Sequence, residues 1–160
     1  FNILKMKKVN KFLALLAMTA LFAGCNNEDP QNDGSQESGQ ATSYVGTMVV
    51  VQKDQTTYTQ ESVAVDYEIT DTAGLVLTFN QVAFSPKMPV KIDMILTNVQ
   101  HEESVETTSF SGDSIVPIAM GGLFPQYTVT NLSGTIQQGT MSLSMICGGY
   151  PITFVGTVQE

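Results

Sequence analysis

The chain has 160 residues, fifteen Asp and Glu against seven Lys and no Arg, and a formal net charge of −8 with an isoelectric point near 4.4. Phosphate backbones and anionic lipid surfaces are held by clustered Lys and Arg, so this composition excludes nucleic acid and anionic bilayers as partners. The length suits one domain, and two cysteines exclude a disulfide-built scaffold.

Lys5, Lys7, Lys8 and Lys11 open the chain with positive charge, and Phe12 to Phe22 follow as an apolar run broken by Thr19. A bilayer-spanning helix needs about 20 apolar residues, and this run is too short. A basic start, a short apolar core and small residues at its exit read instead as an export signal. Met6 is a more natural start than Phe1, which places Phe1–Lys5 upstream of it. Leu21-Phe22-Ala23-Gly24-Cys25 resembles a bacterial lipobox, whose cysteine becomes the lipidated first residue of the mature protein. The resemblance implies a lipoprotein signal peptide over residues 1–24, lipidation of Cys25 and a membrane as partner through that anchor; a plain signal peptide is the alternative. One acyl chain anchors weakly, whereas a lipoprotein cysteine normally carries three.

Residues 25–42 hold no large apolar side chain and are rich in Asn, Gln, Ser, Gly and acids. Such a stretch cannot bury enough apolar surface to offset its ordering entropy, and reads as a flexible acidic tether. Fully extended, it reaches about 50–60 Å. Asn26-Asn27-Glu28-Asp29 resembles the surface-export signal of Bacteroidetes lipoproteins; a solvated tether is the equal alternative. Beyond the signal, three lysines face fifteen acids, a net charge of −12, which favours a soluble monomer. With Cys25 lipidated, Cys147 stands alone.

From residue 43 to 160 the hydrophobic pattern has period two. Tyr44 to Gln52 is Val-rich, and Asp54-Gln55-Thr56 turns the chain. Val63, Val65, Tyr67 and Ile69 share a face, and Asp71 to Gly74 form the next turn. Leu75, Leu77 and Phe79 are in phase; Val82 and Phe84 are shifted by one, the mark of a β-bulge. Two prolines, Pro86 and Pro89, keep the next connection out of any ladder. Val90, Ile92, Met94 and Leu96 alternate with polar partners. His101, Glu103 and Val105 share one face of a polar stretch that runs to Ser111. Ser114 to Met120 is a short apolar run, Gln126 to Ile136 a strand with a break at Asn131 to Gly134, and Gln137-Gln138-Gly139 a turn. Met141, Leu143, Met145 and Cys147 then share a face, and Gly148-Gly149 lead into Ile152, Phe154, Val155 and Val158. This is an all-β domain of about eight or nine strands at the spacing of a sandwich or barrel. Short connections make it an antiparallel meander. Closure into a barrel removes exposed edges in a chain with few lysines to guard them; a β-sandwich is the alternative.

The lipobox, the acidic tether and a meander that opens with Tyr44-Val45-Gly46-Thr47 and closes with Phe154-Val155-Gly156-Thr157 resemble the calycin-like lipoproteins of Bacteroidetes. The resemblance implies a lipocalin-type barrel in the cell envelope, at the outer membrane and on its outer face if the acidic signal operates, with a generally unassigned function.

Little catalytic chemistry is legible. His101 and the following Glu102, Glu103 and Glu106 are metal-ligand types, but their spacing matches no zinc motif, and a solvated acidic stretch is the better reading. Gly112-Asp113-Ser114-Ile115 resembles the nucleophile block of GDS-type esterases, which need an α/β fold and a partnered histidine; a turn held by Asp113 accounts for it. There is no nucleophile elbow, phosphate loop or CxxC pair. The expectation is no enzyme, no metal and no cofactor. Cys147 continues an apolar face and reads as core. Asp71-Thr72-Ala73 and Asp113-Ser114-Ile115 resemble Bacteroidetes O-glycosylation sites at turns.

Methionine repacks easily and suits a ligand cavity or an irregular core alike. The candidate ligand-binding residues are therefore the Met and Leu faces: Met94, Leu96, Met141, Leu143 and Met145. Two readings result. One is a lipid-anchored barrel that binds a small apolar or amphipathic ligand inside. The other is a filled β-domain serving as an accessory or interaction subunit at the outer membrane.

Overall fold

A computed structural model describes residues 39–160; the signal segment, Cys25 and most of the tether lie outside the described residues. Ten strands form one antiparallel sheet: β1 (Thr42–Val51), β2 (Thr57–Thr70), β3 (Gly74–Val82), β4 (Ile92–Glu103), β5 (Thr107–Gly112), β6 (Ile118–Ala119), β7 (Gly122–Leu123), β8 (Val129–Gln137), β9 (Thr140–Cys147) and β10 (Tyr150–Val158). The order β3-β2-β1-β10-β9-β8-β5-β4 is closed by pairing of β3 with β4. The result is an eight-stranded barrel in which each strand neighbours the next in sequence. The small β6–β7 hairpin is an appendage, paired to β4 at Met94↔Ala119 and Ile95↔Ile118.

Closing a sheet demands curvature, and four β-bulges supply it. Register shifts place an extra residue on β2 opposite Gly46–Met48, on β3 opposite Ile92–Met94, on β4 opposite Leu75–Leu77 and on β8 opposite Ile146–Ser144. Each extra pair contains a residue in the left-handed region: Ser62 (φ 57°), Gln81 (φ 50°), Asn98 (φ 56°) and Asn131 (φ 52°). A bulge bends its strand and resets side-chain phase. That is how Phe79 and Val82, three residues apart, are both buried, and likewise Leu96 with Val99 and Val129 with Leu132. The phase shift anticipated at Val82 is thus real. The break expected at Asn131 to Gly134 is instead a bulge within a continuous β8.

Two further expectations are corrected. Val90 does not join the β4 face: it follows Pro89, precedes the strand and is 63 % exposed. Nor does Val105 share a strand face with His101 and Glu103. The hydroxyl of Ser104 donates to the Thr107 carbonyl (2.8 Å) and accepts from its amide (3.2 Å), closing a β4–β5 turn that leaves Val105 fully exposed.

The inward faces fill the barrel with Met48, Val50, Val63, Val65, Leu75, Leu77, Phe79, Met94, Leu96, Phe110, Met141, Leu143, Met145, Ile152 and Phe154. Two inward glycines make room for rings. A Cβ at Gly134 would collide with the Phe110 ring, and one at Gly156 with the Phe154 ring. Small positions facing large ones are how a narrow barrel reaches close packing.

The two ends differ. The chain enters at the turn end, where β2–β3, β4–β5 and β8–β9 connect tightly. At the opposite, loop end lie the β1–β2 turn, the β3–β4 loop and the long β5–β8 connection that carries the β6–β7 hairpin.

Candidate functional site

All five candidate ligand residues point into the barrel. Met94 and Leu96 come from β4, and Met141, Leu143 and Met145 from β9. None exceeds 5 % exposure, and Met94, Leu96 and Met141 are at 0 %. A water-sized void beside a side chain would leave it accessible surface, so these three are enclosed by protein atoms. The Cys147 thiol lies 3.8 Å from the Met94 sulfur, although β9 and β4 are three strands apart around the ring. Side chains of non-neighbouring strands thus meet inside the barrel.

The loop end is plugged. Phe84, buried, packs at 4.9 Å on Tyr127, whose ring stacks at 5.3 Å on Phe124. Among the described residues Gln60 is the one buried polar side chain: its Nε2 donates to the Gln81 carbonyl (2.7 Å) and its Oε1 accepts from the Ala83 amide (3.0 Å). It thereby pairs the backbone that the β3 bulge leaves free. The Cys147 thiol donates to the Tyr127 carbonyl at 3.3 Å, and burial pushes it up to about 12. This is a packed thiol with no thiolate character near neutral pH.

At the turn end, burial pushes the Tyr67 phenol to about 12, with the neighbouring charges of Glu103 and Tyr44 adding to it. His101 pairs across the ladder with Phe110 and edges a shallow, polar outer groove of about 350 Å³ shared with Glu102, Ser109 and Ser133. Among the described residues no three His, Cys, Asp or Glu side chains converge as a metal site. Asp113 accepts from the Asn131 amide (3.1 Å) and from the Ser114 hydroxyl (3.3 Å), which makes Asp113–Ser114 a turn clamp. Thr72 and Ser114 are both exposed at turns. Cys25 lies outside the described residues.

A groove on the outer wall was not legible in the hydrophobic pattern. Val90, Ile92, Ile95, Ile118, Ala119 and Met120, with Gln81, Lys91 and Asp93 at its polar side, line about 410 Å³ beside the β6–β7 hairpin. Met120 is 77 % exposed, Leu123 69 % and Val90 63 %. Met120 (φ 52°) and Gly121 (φ 81°) form the hairpin tip, with the paired positive φ angles of a type I′ turn. Such turns favour Asn or Gly at the first position; here a methionine holds it and projects into solvent. Ile95 and Ile118 pair across β4 and β6 on the groove floor. Plain alternation along β4 already turns Ile95 outward; what no periodicity count reaches is that β6 pairs beside it.

No protein family, characterised protein or solved structure matches this chain. Residues and their geometry are therefore what a functional reading rests on.

Proposed function

We propose that this chain is a non-enzymatic, lipid-anchored protein of the bacterial cell envelope, calycin-like in build. Its barrel is a filled scaffold, and its activity is docking to a partner through the outer groove at the β6–β7 hairpin. The observation that carries this reading is the contrast between the two apolar surfaces. Inside, Met94, Leu96 and Met141 have no accessible surface; outside, Met120, Leu123 and Val90 are more than half exposed. Exposed apolar clusters on soluble domains mark interaction sites, whereas a pocket for a small ligand is an enclosed apolar space. The lipobox-like Leu21–Cys25 supports anchoring through Cys25, and the acidic run after it supports export to the surface of the outer membrane.

Native mass spectrometry of the lipidated protein, taken from its own envelope and compared with its denatured mass, tests the reading. A protein-sized increment that disappears with Met120→Glu and Leu123→Glu supports it. An increment of a few hundred daltons, lost on denaturation and retained by both variants, would overturn it in favour of a small ligand carried inside the barrel.

A further inference from the structure

The described residues carry three lysines and eleven acids, and all three lysines lie at the loop end. Two of them line one pocket of about 320 Å³: Lys53, from the β1–β2 turn, and Lys87, from the β3–β4 loop, together with Gln52, Asp54, Ser85 and Tyr150.

The walls of this pocket are fixed by hydrogen bonds. The Gln52 amide donates to the Thr56 carbonyl (2.7 Å) and the Gln55 amide to the Gln52 carbonyl (3.0 Å), which closes the first turn. The Lys87 amide donates to the Ser85 hydroxyl (3.2 Å) and the Met88 amide to the Ser85 carbonyl (3.1 Å), which closes the second. Gln52 Nε2 then donates to the Phe84 carbonyl at 2.8 Å and ties one wall to the other. The half-buried ring of Tyr150 packs against the core beside them.

Asp54 decides what such a pocket selects. Its Oδ1 accepts from the Thr56 amide (3.1 Å) and the Thr56 hydroxyl (2.6 Å). Those bonds hold its carboxyl below the ordinary range, and its Oδ2 remains an acceptor. The lining residues therefore carry two ammonium groups and the Tyr150 hydroxyl as donors, Asp54 Oδ2 and Gln52 Oε1 as acceptors, and one aromatic ring. A bare anion meets the Asp54 charge, and a neutral sugar leaves both ammonium groups unmatched. A ring that carries hydroxyls and one anionic group satisfies all of them.

We propose that this pocket binds a sugar bearing a single carboxylate or phosphate. The anionic group sits between Lys53 and Lys87, ring hydroxyls donate to Asp54 Oδ2 and Gln52 Oε1, and the ring lies against Tyr150. The site belongs to a different surface and a different ligand chemistry from the hairpin groove, so either can fail without the other.

The test is titration calorimetry with saturation-transfer NMR on the full chain in detergent micelles, using glucuronate, glucose 6-phosphate, glucose and inorganic phosphate as probes. At least one anionic sugar is expected to bind in the millimolar range or tighter, about tenfold or more above glucose and inorganic phosphate; which of the two binds separates a carboxylate ligand from a phosphate one. Lys53→Gln and Lys87→Gln, both exposed positions, should each weaken binding about tenfold, and Lys91→Gln, outside the pocket, should leave it unchanged. Asp54→Asn should weaken the sugar while strengthening inorganic phosphate, a reversal that general surface charge does not produce. Absence of saturable binding by both anionic sugars, equal loss in Lys91→Gln, or inorganic phosphate matching the sugars would each overturn the proposal.

Discussion

Met120→Asn separates folding from function at the hairpin tip. A non-glycine L-residue in the left-handed region costs about 1–2 kcal/mol, and Asn is tolerated there far better than Met. Met120 sits at φ 52° and is 77 % exposed, so its side chain returns little burial to the domain itself. Replacing it with Asn installs the favoured Asn-Gly type I′ pair with Gly121. The domain should gain about 0.5–1 kcal/mol, which for its size raises Tm by roughly 2–4 °C. Differential scanning calorimetry on the full chain reads this directly. The same variant removes the apolar tip from the groove and should lose the protein-sized increment in native mass spectrometry. A strained apolar residue kept for docking gives both results together. A variant that is less stable than the parent, or one that keeps its partner, would refute the reasoning, because Met120 would then be packing rather than displaying.

Gln60→Leu removes both partners of the β3-bulge backbone, leaving the Ala83 amide and Gln81 carbonyl unmatched. One buried and one part-buried group at about 1–3 kcal/mol each, less about 1–2 kcal/mol from the added apolar burial, give a net loss of about 0–5 kcal/mol, centred near 2–3 kcal/mol. Urea unfolding should show a lower midpoint at unchanged slope. Leu143→Asp places an unpaired carboxyl in the barrel and should unfold the domain, whereas Ser142→Asp, on the outward face of the same strand, should be tolerated; circular dichroism decides, and equal tolerance of the two would contradict the strand phase. Cys147 makes stability fall in alkali. Its thiol is raised from 9.0 to about 12 in the fold, so the stability from keeping it protonated is complete below its unfolded pKa and is lost as pH rises through about 9 to 12. Cys147→Ala should flatten that part of the stability–pH curve.

The inward face was legible because burial on one side of a strand forces period two. Met141, Leu143, Met145 and Cys147 have that pattern in sequence and are all buried. The turns at Gln138-Gly139 and Gly148-Gly149 were legible because only Gly, Asn and a few polar residues occupy positive φ cheaply. What escaped depends on long-range closure. Ser62, Asn98 and Asn131 are unremarkable polar residues until the ring must close, and only the partner strand reveals that each stands at an extra position. Only one of the four bulges interrupted an apolar pattern strongly enough to be seen beforehand, at Val82. The candidate surfaces were hidden for the same reason. Lys53 and Lys87 line one pocket from two loops, and Val90 lies beside Met120 only because β6 pairs with β4.

Both surfaces lie on the side of the barrel away from where the chain enters. β1 runs from Thr42, at the turn end, to Val51, at the loop end, and ten strand residues at about 3.3 Å each span roughly 30 Å. The charges follow the same axis. Glu68, Asp71, Glu102, Glu103, Glu106 and Glu160 cluster at the entry end, while Lys53, Lys87 and Lys91 are all at the far end. If the proposed anchoring at Cys25 holds, an anionic lipid surface would repel the acidic entry end of the barrel. On that proposal the lysine pocket and the hairpin groove, both at the loop end, would point away from the lipid. Neither surface would gain from being drawn onto the membrane: the groove would be occluded, and the lysines would be taken up by lipid phosphates. Exchanging charges between the two ends, through Lys53→Glu, Lys87→Glu, Asp71→Lys and Glu106→Lys at unchanged net charge, reverses this polarity without touching the core. The variant should sediment with anionic vesicles where the parent remains repelled, and the difference should vanish as the Debye length falls to about 3 Å in 1 M salt. Equal sedimentation of the two at low salt would show that charge placement does not orient the domain.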